Sequence, residues 1–240
     1  PEVEFIQGDV RNLDALKRVV PKVDAIYHLA AAVGVGQSMY EISGYTGTNI
    51  QGTANLLQAI LDTRSAPEKL VVASSMSIYG EGRYACPTCG PVAPPARSIS
   101  QLKQKAWELR CPSCNKALTP SPTDEEKPLQ CTSIYALNKK AQEEMVLIFG
   151  QTYGIPSVAF RYFNIYGPRQ ALSNPYTGVC AIFSARLLNG NRPMVFEDGE
   201  QSRDFVHVSD IVQANLRALE SDRADYQAIN VGTGRATSIK

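Results

Sequence analysis

The chain has 240 residues, of which 44% are hydrophobic, and its formal net charge is +1 at pH 7. A chain of this length and composition can bury the core of one domain with a subsidiary lobe. The near balance of charge argues against a strongly basic nucleic-acid-binding protein. No apolar run approaches the roughly 20 residues that a membrane-spanning helix needs.

Strands and helices alternate in the first part of the chain. Residues 3–10 alternate apolar and polar side chains up to Asp9, as in a strand that leads to a ligand-facing loop. Asn12 is a candidate N-cap for the short helix that follows, and residues 25–31 predict the next strand. A longer helix with regularly spaced apolar residues is predicted to open at Asn49.

The alternation continues further along the chain. Residues 70–73 form a short apolar run, typical of a buried parallel strand, and several hydroxyl side chains follow it. Thr132 or Ser133 can cap a helix, and residues 157–164 predict another buried strand. Residues 193–196 predict a short strand. This order favours a parallel, doubly wound α/β sheet.

Tyr135 and Lys139 stand four residues apart on the predicted helix and therefore share a face. The lysine charge favours the phenolate and lowers the tyrosine pKa from its usual value of about 10, which suits proton transfer. The same spacing also occurs by chance on many amphipathic helices. Ser75, at the carboxyl end of the 70–73 strand, lies where ligands bind in open α/β sheets.

Two Cys-x-x-Cys pairs, Cys86 with Cys89 and Cys111 with Cys114, are separated by 21 residues. Four thiolates form the closed tetrahedral shell of a structural zinc site, so we expect a zinc ribbon here, with redox-active or unmetallated cysteines as the alternative. Catalytic zinc is disfavoured because four thiolates leave no open position. Metal-binding thiols also suit a reducing compartment, and we expect a cytoplasmic protein.

The loop between the two cysteine pairs carries several basic residues and the only tryptophan, Trp107. Basic residues with an aromatic side chain occur at nucleic-acid interfaces, but a solvated face with one packed tryptophan is the commoner arrangement. Nucleic acid is therefore an unlikely partner. A hydrolase is also poorly supported, because no Gly-x-Ser-x-Gly motif is present.

Ser75, Tyr135 and Lys139, together with Arg-Tyr-Phe-Asn-x-Tyr-Gly-Pro at residues 161–168, resemble the extended short-chain dehydrogenase/reductases. The resemblance is to their NAD-dependent nucleotide-sugar epimerase/dehydratase family. It implies a Rossmann sheet that lacks its first βαβ unit, because no glycine-rich pyrophosphate turn is found and the chain looks truncated at both ends. NAD, rather than NADP, rests on this resemblance alone.

The resemblance also implies a domain organisation. The Rossmann domain would cover residues 1–82 and 118–170, with the zinc-ribbon insert at 83–117. The substrate-binding lobe would cover 171–240, with a return to the Rossmann domain near 203–212. Relatives dimerise through a four-helix bundle, which here would use the helices that begin near Asn49 and Ser133, and we expect a homodimer.

Positions that match the family's cofactor contacts come from strand ends and from the catalytic helix. They are Asp9, Val10, Leu29, Ala30, Ala31, Val33, Asn49, Ser74, Tyr135, Lys139, Tyr162 and Phe163. At Val33 some relatives have a lysine. Without the resemblance, Asn49 would also fit a helix cap.

Positions that match substrate contacts follow the strand ends and continue into the lobe. They are Ser75, Ser77, Asn164, Gly178, Val179, Val195, Phe196 and Arg203. Arg203 falls on the arginine that grips the substrate diphosphate, a role that suits a guanidinium group. An arginine considered alone would more often form a surface ion pair.

The expected activity is 4-epimerisation of a dTDP- or UDP-linked hexose, with Ser75, Tyr135 and Lys139 as catalytic residues. Family 4,6-dehydratases have an acidic pair after the catalytic hydroxyl, where this chain has Met76 and Ser77. The cysteine-rich insert resembles a subgroup of dTDP-L-rhamnose 4-epimerases. The alternatives are a 4,6-dehydratase, another sugar-nucleotide enzyme of the family, or a non-catalytic zinc-ribbon interaction protein on a Rossmann scaffold.

Overall fold

The computed structural model describes residues 3–171 and 178–240, in which helices and strands alternate. The helices are α1 (Leu13–Val19), α2 (Ile42–Thr46), α3 (Gly52–Asp62), α4 (Ile99–Lys103), α5 (Ile134–Tyr153), α6 (Val179–Leu188) and α7 (Val208–Glu220). The strands are β1 (Ala25–His28), β2 (Lys69–Ser75), β3 (Arg83–Cys86), β4 (Gly90–Val92), β5 (Thr119–Ser121), β6 (Ser157–Tyr162), β7 (Asn164–Tyr166), β8 (Ser202–Arg203), β9 (Phe205–His207), β10 (Gln227–Val231) and β11 (Thr237–Ser238).

The main sheet has four strands in the order β1-β2-β6-β10. β1 pairs with β2 in parallel, with Ala25 opposite Lys69 and His28 opposite Val72. Each connection between neighbouring strands contains a helix, as parallel pairing requires. The predicted α/β fold with a parallel, Rossmann-like sheet is therefore confirmed.

The core of this sheet is apolar and packs mainly against α3 and α5. Its fully buried members include Ile60, Leu70 and Val146. Gly150 allows α5 to approach β6, because a Cβ atom there would lie only 2.7 Å from the Ile155 carbonyl oxygen. The close helix–sheet packing fixes the face that α5 turns toward β2.

Three predicted elements differ in the structure. Residues 3–9 and 193–196 are not strands, because β propensity yields a strand only where a neighbouring strand pairs with it. The helix predicted to open at Asn49 starts earlier, since α2 runs through a π-helical turn (Gly47–Gln51) into α3. Two glycines and several β-branched residues weaken the helix propensity there, and burial of Tyr45 compensates.

The described chain divides into two compact units. The first contains the described residues up to Ser74, with Ser133–Phe160 and Asn215–Ile229. The second contains Ser75–Thr132, Asn230–Lys240 and the described part of Arg161–Ala214.

The second unit contains three small sheets. In the cysteine-rich insert, β3 pairs antiparallel with both β4 and β5. β7 pairs in parallel with β9, and β8 pairs antiparallel with β11. Within the described ranges, no helix combines the length and the apolar character that crossing a membrane requires.

Candidate active site

The first unit presents Tyr135 and Lys139 one turn apart near the start of α5. Ser133 caps this helix, because its hydroxyl accepts the Ala136 N–H at 3.1 Å. The Tyr135 N–H donates to the buried Ser38 hydroxyl at 3.0 Å. These contacts anchor the first turn of α5, from which the phenol projects.

Lys139 is buried, with only 3% of its surface exposed. Its Nζ donates to the Ala73 carbonyl oxygen of β2 at 2.8 Å. Burial lowers the Lys139 pKa to about 8, so the ammonium remains predominantly charged at neutral pH. The helix therefore carries a desolvated cation on the same face as the Tyr135 phenol, one turn away.

A buried carboxylate lies one turn further along α5. The Ser74 hydroxyl donates to Glu143 Oε2 at 2.6 Å, and both residues are buried. Lys139 and Glu143 thus bond to consecutive residues at the carboxyl end of β2 and hold it against α5. Sequence analysis did not select Glu143, although its position four residues after Lys139 puts it on the same helix face.

A polar cluster lies deeper in the first unit. The His28 ring Nε2 lies 2.8 Å from the Thr53 hydroxyl and 3.3 Å from the Gln142 amide nitrogen. Burial, with a smaller contribution from the Lys139 charge, lowers the His28 pKa to about 4. A neutral His28 is therefore part of the polar cluster that packs beneath α5.

Asn49 holds the loop after β1. Its amide accepts the Ala32 N–H at 2.8 Å and donates to the Ala32 carbonyl at 3.1 Å. The alternative role as a helix cap is thus wrong, since the side chain contacts a different segment. Leu29, Ala30 and Val33 are exposed in this loop, where Ala30 and the half-buried Ala31 add little bulk. The backbone of this loop is therefore accessible to a ligand.

Asp9 and Val10, two of the predicted cofactor contacts, lie next to each other at a turn, where Asp9 is exposed and Val10 is half-buried. The Asp9 carboxylate accepts hydrogen bonds from Arg11 Nη2 at 2.6 Å, from Arg11 Nε at 3.0 Å and from the Arg11 backbone N–H at 2.8 Å. This partner lowers the Asp9 pKa to about 2. Asn55 anchors the turn by donating to the Val10 and Arg11 carbonyl oxygens.

Ser75 is the last residue of β2 and the first residue of the second unit. Its hydroxyl accepts the Ser77 N–H at 3.2 Å and the Ser77 hydroxyl at 2.9 Å. This places both predicted serines in one short turn. The second unit also contains Asn164, whose Nδ2 donates to the Asp204 carbonyl oxygen at 3.0 Å.

The remaining predicted contacts are spread over the second unit. Tyr162 and Phe163 are half-buried at the end of β6, and Gly178 and Val179 open α6. Val195 and Phe196 lie exposed in an irregular segment. Arg203 is exposed, and in the described part of the chain no carboxylate lies within ion-pair distance of it. Its Nη1 donates to the Ser202 carbonyl oxygen at 2.8 Å, and the rest of the guanidinium is exposed.

The four cysteines of the insert form one cluster. Their Sγ atoms all lie within 4.8 Å of one another, and those of Cys86 and Cys114 are 3.4 Å apart. The Thr88 N–H is the main cause that lowers the Cys86 pKa to about 6, whereas the Cys114 and Cys111 thiols raise the Cys89 pKa to about 12. The cluster has the four sulfur donors and the short spacing that a structural zinc site requires.

The chain matches the NAD dependent epimerase/dehydratase family over residues 1–99 and 112–232. It therefore belongs to this family. A dTDP-L-rhamnose 4-epimerase from Burkholderia thailandensis is 32% identical over 240 residues, covering 99% of this chain and 65% of that protein. The chain thus spans slightly less than two thirds of that relative.

Two solved structures of nucleotide-sugar epimerases are similar to this chain. A UDP-N-acetylglucosamine 4-epimerase from Methanobrevibacter ruminantium, in complex with UDP-N-acetylmuramic acid, superposes with a TM-score of 0.75 at 30% identity, covering 98% of this chain and 62% of that one. A Thermus thermophilus UDP-glucose 4-epimerase, in complex with NAD, has a TM-score of 0.71 at 29% identity and covers 97% and 64%.

Proposed function

We propose that the protein containing this chain is an NAD-dependent nucleotide-sugar 4-epimerase that acts on a dTDP- or UDP-linked hexose such as dTDP-L-rhamnose. The observation that carries the proposal is the buried Lys139 cation, one helical turn from Tyr135 and bonded to the carboxyl end of β2. A cation in this position keeps a phenol acidic without contacting the sugar itself.

The catalytic roles follow from the chemistry of each side chain. Tyr135, as phenolate, removes the proton from the sugar C4 hydroxyl, and Ser75 hydrogen-bonds the same oxygen. Lys139 lowers the Tyr135 pKa and binds the ribose next to the nicotinamide. When bound, NAD would accept the hydride from C4 and would give it back to the opposite face of the 4-keto carbon after the sugar has turned over, which inverts C4. Tyr135 returns the proton to the C4 oxygen as the hydride is given back.

The cofactor and substrate positions are assigned by family resemblance and by exposure. NAD would lie along the loop that Asn49 holds, where small side chains leave the backbone accessible. Arg203 would bind the diphosphate, and Val195 with Phe196 would receive the nucleoside. The serine after Met76 donates to Ser75 and cannot act as an acid, which favours epimerisation over dehydration.

Two further assignments accompany this proposal. The Cys86, Cys89, Cys111 and Cys114 thiolates would hold one structural zinc, which suits a reducing compartment such as the cytoplasm. Exposed apolar residues on α3 and α5, such as Leu61 and Ile148, fit a homodimer built through these helices.

The test is to incubate the full-length protein with dTDP- and UDP-sugars and to identify the products by NMR. A product in which the C4 hydroxyl has changed between the axial and the equatorial position supports the proposal. A stable 4-keto-6-deoxy product would indicate a dehydratase, and no turnover would indicate a scaffold.

Tyr135→Phe should lower turnover by about 10²- to 10⁴-fold, because it removes the group that exchanges the proton. Tyr153→Phe is the matched control, since Tyr153 lies on the same helix and packs its ring against Phe149. Near-normal turnover in Tyr135→Phe would refute the assignment of the catalytic base.

A further inference from the structure

Arg97 lies in the cysteine-rich insert, between the two cysteine pairs, and joins three separate segments. Its Nη1 donates to Glu197 Oε2 at 2.8 Å and lies 3.4 Å from the Trp107 carbonyl oxygen. Its Nε lies 3.8 Å from the Glu81 carboxylate. About a quarter of each of these charged side chains is exposed, so solvent screens the contacts only in part.

Glu197 follows the apolar segment Met194, Val195 and Phe196. This segment belongs to no sheet, and its side chains are exposed. Phe196 is 70% exposed and Val195 is 44% exposed. Within the loop, the Gln201 side-chain amide donates to the Phe196 carbonyl oxygen at 3.1 Å. The Arg97 guanidinium lies outside this loop and binds the side chain of Glu197, the residue after Phe196. The apolar segment is therefore held at its carboxyl end and open to solvent.

The backbone of Glu197 supports a specific role for its side chain. Its φ of 58° lies in the left-handed region, where glycine or asparagine is favoured. A left-handed backbone costs a glutamate conformational free energy, and the hydrogen bond of its carboxylate with Arg97 offsets this cost. The following turn is also close-packed, because a Cβ atom on Gly199 would lie 2.9 Å from Val195 Cγ1.

We propose that Arg97 is a positioning residue for the nucleotide sugar, through which the cysteine-rich insert holds the segment 194–197 in the conformation that receives the nucleoside. The inference rests on the proposed function, in which Val195 and Phe196 contact the nucleoside. It gives the insert a role in substrate affinity and none in the proton and hydride transfers. Arg97 would act on the substrate only through the loop.

The test compares three variants of the full-length protein by calorimetry with dTDP, UDP and NAD. Arg97→Ala removes the guanidinium, and Glu197→Asn removes the charge while tolerating the left-handed backbone. Both should weaken binding of the preferred diphosphate by about fivefold or more and leave NAD affinity unchanged, because a partly desolvated ion pair orders the loop. Lys103→Ala, which removes another positive charge from the insert, should bind all three ligands as wild type does.

Kinetics and a charge reversal separate positioning from a general loss of structure. In Arg97→Ala, KM should rise while kcat stays within about twofold, as expected when uniform binding is lost. The double variant Arg97→Glu with Glu197→Arg should restore affinity relative to Arg97→Glu alone.

Two results would overturn the inference, and they lead to different conclusions about the proposed function. If wild type binds a diphosphate and Arg97→Ala and Glu197→Asn bind it equally well, the inference fails and the proposed function stands. If wild type binds neither dTDP nor UDP, the proposed function fails and the inference fails with it.

Discussion

The region around α5 and the cysteine-rich insert differ in the kind of polar group that they bury. Around α5, a large apolar core packs beside a few buried polar side chains. Each of these side chains has a hydrogen-bond partner: Lys139 donates to the Ala73 carbonyl oxygen, and Glu143 accepts the Ser74 hydroxyl. In the insert, the buried cluster is small and half of it is cysteine: Cys86, Leu109, Cys111 and Leu118. A large core can therefore retain costly buried charges, whereas a small one needs a further source of stability, such as a bound metal.

The largest expected effect comes from removing the proposed zinc ion. Chelation should abolish amide protection in residues 83–121 and leave α5 and β2 protected, because structural zinc contributes about 10–16 kcal/mol in small domains. Hydrogen exchange with mass spectrometry and zinc analysis would measure both. Cys86→Ser should behave like the metal-free protein, and Cys180→Ser, which lies outside the cluster, like wild type. Less than half an equivalent of zinc per chain would count against the metal site.

Acid should destabilise the first unit through His28. Its pKa of about 4 in the folded chain is below the usual value of 6.5, so between these pH values the unfolded state binds the extra proton. Stability should fall by up to about 3 kcal/mol as the pH decreases from 6.5 to 4. Urea unfolding of wild type and His28→Gln across this pH range would measure the loss of stability. Equal pH slopes for the two proteins would contradict a buried neutral histidine.

Replacing Lys139 by methionine should stabilise the fold and abolish turnover. Because the folded pKa of about 8 lies below 10.5, the buried charge destabilises the fold at neutral pH, and this penalty is relieved as the pH rises from 8 to 10.5. Lys139→Met should gain about 2 kcal/mol at pH 7 after loss of the Ala73 hydrogen bond. Its advantage over wild type should vanish near pH 10.5. Lower stability than wild type at pH 7 would show that the lysine supports the fold.

The smallest expected effect concerns the start of α5. Ser133→Ala removes the hydroxyl that caps α5 and should cost about 1 kcal/mol. Ser133→Asp, which can also cap, should restore most of this loss. Thermal unfolding of the three proteins would measure it, and an unchanged midpoint in Ser133→Ala would show that tertiary packing alone fixes the helix start.

The sequence predicted the elements whose pattern is local. The apolar run at 70–73 became β2, Ser133 caps α5 as expected, and the spacing of the cysteine pairs anticipated their cluster. Residues 3–9 and 193–196 were wrongly predicted as strands, since a strand also requires a partner. The early start of the helical segment before Asn49 was missed because propensity there is weak and tertiary contacts override it.

The sequence by itself determined the residue types and spacings needed for chemistry: a tyrosine and a lysine one turn apart, a serine after a buried strand, and four cysteines in pairs. Only the tertiary structure decided which side chains meet across long separations. Ser74 binds Glu143 from 69 residues away, and Arg97 binds Glu197 from 100 residues away. The physical reason is that local periodicity reports which face of an element is buried, whereas its partner is chosen by packing of the whole chain.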